Sequence, residues 1–264
     1  MPSVSNIAVG ALVAGSAASK ARHGMNESIA RLSTGMRSIY GGDAAGQSVA
    51  NTLQARSKSW AIAARNAEDG ISAAQTAESA LLEIAALAQR LRELGIQADN
   101  AALLSSTNDI AAMDKEAVAI ADAIDAIVTK ATFNGVSMLG TSAVSKAIGV
   151  TDDGGTVTLK TTGGITAITA ITQAGASDGS ADTTLKEVAV SLGHVAAGIA
   201  ALKGRQAVAY SASANLAAAA SRIEDTDFAK ETANLTKNSV LNQSAMAMVA
   251  QANQAQSAIL AVLQ

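Results

Sequence analysis

The chain of 264 residues has no cysteine, one proline, few aromatic residues and little charge. Without cysteine there is no disulfide framework, no thiol nucleophile and no cysteine-based zinc or iron–sulfur site. The one proline is Pro2, so nothing downstream removes a backbone donor from the middle of a helix. Charged residues make up 16% of the chain, against roughly 25% in an average globular protein. A net charge of −3, with Lys and Arg scattered along the chain, supplies no basic stripe and argues against nucleic acid as a partner. His23 and His194 stand apart from each other and from any His-Glu-x-x-His pattern, so zinc and triad chemistry have nothing to build on. Each reads as a helix-surface residue. Gly41, Gly42 and Gly46 lack the Gly-Lys-Ser/Thr ending of a phosphate loop and read as a turn between helices. Trp60, in Lys58-Ser59-Trp60, reads as an amphipathic anchor. No catalytic constellation emerges, and the expectation is a protein that is not an enzyme and holds no cofactor or metal.

What the chain does have is alanine, the strongest helix former, within a hydrophobic content of 49%. Its distribution of charge is uneven. There is no charged residue from Met1 to Ser19 and none from Asn238 to Gln264. A signal peptide at the first end would need a positive region before the apolar run, but Lys20 and Arg22 come after it. A membrane span at the second end would have to bury the amides of Asn242, Gln243, Gln251, Asn253, Gln254 and Gln256, which lipid penalises. Periodicity favours a third reading. Leu241, Ala245, Met248, Ala252, Ala255, Ile259 and Val262 are spaced alternately four and three apart, a heptad seam. Ile7, Ala11, Ala14, Ala18, Ala21, Met25 and Leu32 form a matching seam that skips Ser28. The two ends are expected to pair. A seam of alanine stabilises far less than one of leucine, at ~0.8 kcal/mol per buried CH₂. Such ends should become fully ordered only when further copies surround them, which also fits a helix pair without the Lys and Glu of a solvated face. The alternative is a protected terminal pair within a monomer.

Larger side chains occupy the middle. Leu81, Ile84, Leu87, Leu91 and Leu94 share one helix face, as do Ile110, Met113, Ala117, Ile120, Ile124 and Ile127, and later Val188, Leu192, Val195, Ile199 and Leu202. These predict a stable bundle in the free subunit, with 100–108 as a turn between antiparallel helices. From about 133 to 182 the period changes. Val150 to Leu159 predicts two strands around Asp152-Asp153-Gly154-Gly155, Gly163-Gly164 a second turn, and Ile165 to Ile171 a third strand. Asp152 and Asp153 lack the further carboxylates of a calcium loop and read as a turn.

Several strings resemble the terminal regions of bacterial flagellins. Arg31-Leu32-Ser33-Thr34-Gly35-Met36-Arg37 is similar to the family's arginine-leucine-serine-serine-glycine element, and Asp43-Ala44-Ala45-Gly46-Gln47 to the acidic turn after it. Arg65-Asn66-Ala67-Glu68-Asp69-Gly70-Ile71-Ser72 and Phe133-Asn134-Gly135 follow, then Ser221 to Ala229 and Gln251-Ala252-Asn253-Gln254 near the far end. The resemblance covers roughly residues 1–140 and 185–264. Gly42 departs from it, standing where many flagellins carry the first of two Asp residues. The short central insert leaves no room for large variable outer domains. The resemblance implies self-assembly into a secreted, extracellular flagellar filament, with export chaperone, filament cap and hook-junction proteins as partners. It also implies export unfolded, without signal cleavage, and a nearly proline-free chain suits refolding outside by avoiding slow isomerisation. Gln89, Arg90, Arg92, Glu93 and Leu94, with Glu116, resemble the segment that a Toll-like flagellin receptor recognises, although Gly95 replaces a common Ala. Packing and a solvated helix face are the other reading of Arg90 and Leu94.

The expected fold is mainly α: a long-helix coiled-coil bundle with paired N- and C-terminal helices and a small β-hairpin element. Residues 1–40 and 230–264 would form the terminal pair and inner filament wall, and 41–229 the bundle domain. Rival functions are a hook-filament junction protein and, against the Asn and Gln content, a membrane-active amphipathic protein.

Overall fold

A computed structural model of the chain describes residues 3–37, 42–105, 108–162, 164–166 and 177–263. In chain order these form α1 (Ser3–Thr34), α2 (Ala44–Ala98), a 3₁₀ turn (Ala101–Leu103), α3 (Asp109–Lys130), β1 (Thr132–Phe133), β2 (Val136–Ser137), β3 (Val144–Gly149), β4 (Thr156–Thr162), α4 (Ser177–Glu224) and α5 (Phe228–Leu263). The length of the helices follows from abundant alanine with no proline inside any of them. The described chain divides into two compact units, one of Met1–Ala55 with Leu216–Gln264, the other of Arg56–Asn215. The boundaries fall inside α2 and α4, so the unit holding the terminal helices includes more chain than residues 1–40 and 230–264.

The unit Arg56–Asn215 carries the dense core. Leu81, Ile84, Leu91 and Leu94 from α2, Met113, Ala117, Ile124 and Val128 from α3, and Val188, Val195 and Leu202 from α4 are all buried in one cluster. The three periodic stripes legible in the sequence are thus the three helical walls of this core. Asp109 in the first turn of α3 and Lys130 in its last complement the helix dipole. Two antiparallel hairpins complete the unit. The first closes around Asn134 and Gly135, both at positive φ (50° and 76°), the conformation of a type I′ turn and the reason an Asn-Gly pair belongs there. In the second, Gly149 pairs with Thr156, and the connection places Gly154 at φ 87°. Asp153 accepts hydrogen bonds from the Thr151 hydroxyl and the Gly155 N–H. These hold its carboxyl below the usual carboxylate range, so the pair read as a turn is a turn. Arg56 reaches Asp152 at 2.7 Å and the Asn66 amide donates to the Gly149 carbonyl at 3.2 Å, tying the hairpin to α2. Of the third strand expected at Ile165 to Ile171, Ile165 is buried and donates its N–H to Gly140, outside any strand. Residues 167–176 lie outside the described part.

In the other unit α1 packs along α5. Their shared core is small: among the described residues, Ala18, Ala21, Ser28 and Ala245 are the buried ones of the pair above its polar base.

Candidate assembly surface

The seam of α1 follows the sequence register. Ala18, Ala21 and Ser28 are buried and Ala11, Ala14, Met25 and Leu32 half-buried, so Ser28 fills the heptad position it seemed to interrupt. The α5 seam is shifted. Glu231, Leu235, Asn238, Asn242, Ala245, Val249 and Ala252 face the partner, while Leu241 and Met248 are 48% and 63% exposed. Ala245 and Ala252 are common to both registers. The physical cause is local: a Cβ on Gly24 would lie 2.7 Å from the Asn238 side-chain nitrogen, so α1 is notched to receive an asparagine. Ile7, Ile259 and Val262 lie in the two helices, but their side chains are outside the described part.

Displacing Leu241 and Met248 leaves apolar surface on the outside. With Val9, Val13 and Ala14 they line a groove of about 880 Å³ along the pair, and Leu12 on α1 is 74% exposed. Lys20 and Lys237 are the charged residues lining it.

The pair rests on a polar junction that ties the α1–α2 connection to the α4–α5 bend. Gly35 at φ 72° ends α1 in the left-handed region, with its N–H on the Arg31 carbonyl at 2.8 Å, a glycine C-cap. The next residues run against the bend: Arg37 N–H donates to the Glu224 carbonyl (2.7 Å) and Thr226 N–H to the Gly35 carbonyl (2.8 Å). The Arg37 guanidinium donates to Ile223 O at 3.1 Å and to Asp43 at 2.7 Å. Asp43 caps α2 by accepting the Gly46 N–H at 2.8 Å. That bond, then Arg37, holds its carboxyl below the ordinary value. Glu224, itself buried, accepts from the amides of Gln47 (3.3 Å) and Gln54 (2.5 Å) on α2. Asp227 caps α5 by accepting from Ala229 and Lys230, and Arg31 pairs with buried Glu231 at 3.5 Å.

In the unit Arg56–Asn215, the six residues Gln89 to Leu94 with Glu116 divide by role. Leu91 and Leu94 are core. Arg90 bonds Glu116 on α3 at 2.8 and 3.0 Å and Glu93 at 3.2 Å, which hold its proton more firmly. Arg92 pairs with Asp182 on α4 at 2.8 Å, and Gln89 is exposed. Gly95 is where the start of α4 comes closest: a Cβ there would lie 2.7 Å from the Asp178 backbone nitrogen, and the Ser177 hydroxyl donates to the Leu91 carbonyl at 3.0 Å. The His23 side chain is 80% exposed, 3.3 Å from Glu27.

Both halves of the polar junction lie in segments with known counterparts. Residues 6–143 match the bacterial flagellin N-terminal helical region, and residues 179–263 the bacterial flagellin C-terminal helical region. The chain belongs to the bacterial flagellin family. It is 34% identical to flagellin of Bacillus subtilis, over 88% of this chain and 90% of that one. It is 32% identical to flagellin FlaB2 of Treponema pallidum, over 90% and 92%. A crystal structure of Bacillus cereus flagellin covers 58% of this chain and 88% of its own at 27% identity, with a TM-score of 0.38. As a flagellin the chain is a structural subunit of the extracellular bacterial flagellar filament. The lengths agree with a short form that carries no large variable domain. Family motifs that sequence reading could only match now have physical roles in this flagellin. Arg31 to Arg37 and Ser221 to Ala229 clasp each other. Gly70 of the Arg65–Ser72 motif lets Leu202 and Ile148 approach, both within 3.3 Å of where a Cβ would sit. Glu68 accepts from Gln206 and Tyr210 at 2.9 and 3.1 Å. The polar junction leaves only cap signals in the sequence, at Gly35, Asp43 and Asp227.

Proposed function

We propose that this flagellin polymerises through the α1–α5 pair, whose apolar outer face, uncharged before Lys20 and after Lys237, becomes the buried inner wall of the filament. The observation that carries the reading is that Val9, Val13, Leu241 and Met248 stay exposed along the groove and Leu12 is exposed on the same helix as Val9, on helix segments without charge to keep them in water. Burial among identical subunits removes that surface from water, and head-to-tail contacts that do not close give an open helical filament. The subunit is exported unfolded through the flagellar apparatus without signal cleavage. An export chaperone covers the C-terminal helix before export, and hook-junction and cap proteins bound the growing filament. The chain carries structure, not catalysis.

Seeding purified subunit with filament fragments at raised salt, followed by electron microscopy, tests this. Long filaments are expected, and none after removal of Asn238 to Gln264. Filaments that grow unchanged without that segment would refute the role of the pair.

A second role rests on Arg90, half-exposed and held by Glu116 and Glu93. This cluster is a fixed charged patch suited to recognition by a Toll-like receptor on the free subunit. Arg90→Ala is expected to lower receptor signalling in a reporter assay without changing the melting temperature; undiminished signalling rejects it.

A further inference from the structure

The chain has seven methionines, and the described ones differ in how far water reaches them. Met113 and Met138 are buried in the bundle core, and Met25 and Met36 are half-buried. On α5, Met246 and Met248 are 49% and 63% exposed. A thioether is oxidised where solvent reaches its sulfur, and the sulfoxide that results turns a flexible apolar side chain into a polar one. The two exposed sulfurs have different surroundings. Met248 lines the apolar groove of the α1–α5 pair with Val9, Val13 and Leu241. The Met246 sulfur instead accepts a hydrogen bond from the Arg22 guanidinium on α1 at 3.8 Å.

We propose that Met248 is an oxidation site that governs entry into the polymer: a peroxide converts it to the sulfoxide in the free subunit, and the modified subunit no longer adds to the filament. The inference rests on the polymerising function proposed above and names a modification of the same surface. The sulfur lone pair attacks one oxygen of hydrogen peroxide and the O–O bond breaks. Sulfur gives up two electrons and keeps that oxygen; the other leaves with both hydrogens as water. On Met248 the new dipole stands in a wall built largely of Val9, Val13, Ala14 and Leu241. Covering that wall with a neighbour takes water from a strong acceptor, the cost of burying a polar group. Ser244 and Lys20 are polar members of the same wall, and a bond to either draws more polarity into the contact instead of removing it. Oxidation of Met246 acts differently. A sulfoxide oxygen there gives Arg22 a better acceptor than a thioether, so the link across the pair is kept.

A chain without cysteine leaves methionine as its sulfur target, which simplifies the test. Free full-length subunit is treated with hydrogen peroxide, the sulfoxides of Met246 and Met248 are quantified by peptide mass spectrometry, and growth on filament seeds is followed by electron microscopy. Oxidation is expected to raise the critical concentration about tenfold, with an unchanged melting temperature because Met113 and Met138 are shielded in the core. Met248→Leu, close in volume and without sulfur, should grow normally and resist the peroxide, whereas Met246→Leu should stay sensitive. Met248→Gln, polar from the start, should grow poorly with no oxidant present. A methionine sulfoxide reductase supplied with a thiol reductant should restore growth of the oxidised wild type. Undiminished peroxide sensitivity in Met248→Leu overturns the proposal, as does a Met248 that stays a thioether under conditions that oxidise Met246. Oxidation that lowers the melting temperature in step with lost growth also overturns it, since unfolding would then be the cause. In each of these outcomes untreated subunit still grows, so the polymerising function stands. If untreated subunit forms no filaments, that function fails first and this site with it.

Discussion

The two units of this chain are both built from long helices, yet they differ in what their helices bury. In Arg56–Asn215 the shared surface is built on fully buried Leu, Ile and Val with Met and alanine between them, closed on three helices and two hairpins. In the terminal unit the buried residues are mostly alanine, with serine and glutamate; Met25, Leu32, Leu235 and Val249 are only half-buried in the seam, and Val9, Leu12, Val13, Leu241 and Met248 point outward. The first arrangement stabilises a subunit on its own. The second leaves apolar surface in water, which the proposed polymerisation would bury.

Core truncation should separate the units most. Leu81→Ala or Ile124→Ala, both fully buried, is expected to cost about 2–5 kcal/mol, read by calorimetry on the monomer; an unchanged melting temperature would contradict the division of labour. No large apolar side chain described in the terminal seam is fully buried, so the seam is broken by addition. Gly24→Leu, where even a Cβ meets Asn238, is expected to cost about 1–3 kcal/mol through overpacking. Hydrogen exchange should quicken in α1 and α5 while the α2, α3 and α4 core keeps its protection; quickening in both would show that the units are not separable. Gly35→Ala acts on the clasp alone. Its Cβ would meet nothing, so the expected loss is the backbone cost of a left-handed residue, ~1 kcal/mol.

The smallest effect concerns pH. Because the Asp43 carboxyl is held below its ordinary value by the Gly46 N–H and Arg37, its contribution is present above the unfolded pKa, about 3.9, and is lost as pH falls through the lower folded value. Asp43→Asn should therefore melt below the wild type at neutral pH and converge with it in acid. A gap that stays constant across that range would sink the linkage.

The three apolar stripes of the bundle were fully legible, because Leu and Ile among polar residues mark one phase only. The seam of α5 was not. In a helix whose residues are apolar or uncharged on every side, the largest hydrophobes drew the register to Leu241 and Met248. The partner's notch at Gly24 and its small residues instead select Asn238, Asn242 and Val249. Asn242 even keeps a buried side-chain oxygen with no partner among the described residues, a cost no periodicity count would choose. The clasp was invisible for another reason: Gln47, Gln54 and Glu224 are ordinary surface types whose meeting depends on how the chain returns.

That return has a consequence for synthesis. Arg37 and Ile223 are 186 positions apart, and the loop between them must close before Gly35, Asp43 and Glu224 find their partners. The core residues of the bundle all lie within Arg56–Asn215, but a chain cut short of Glu224 lacks the α4–α5 half of the clasp. The clasp is thus a contact that only a chain reaching past Glu224 can close.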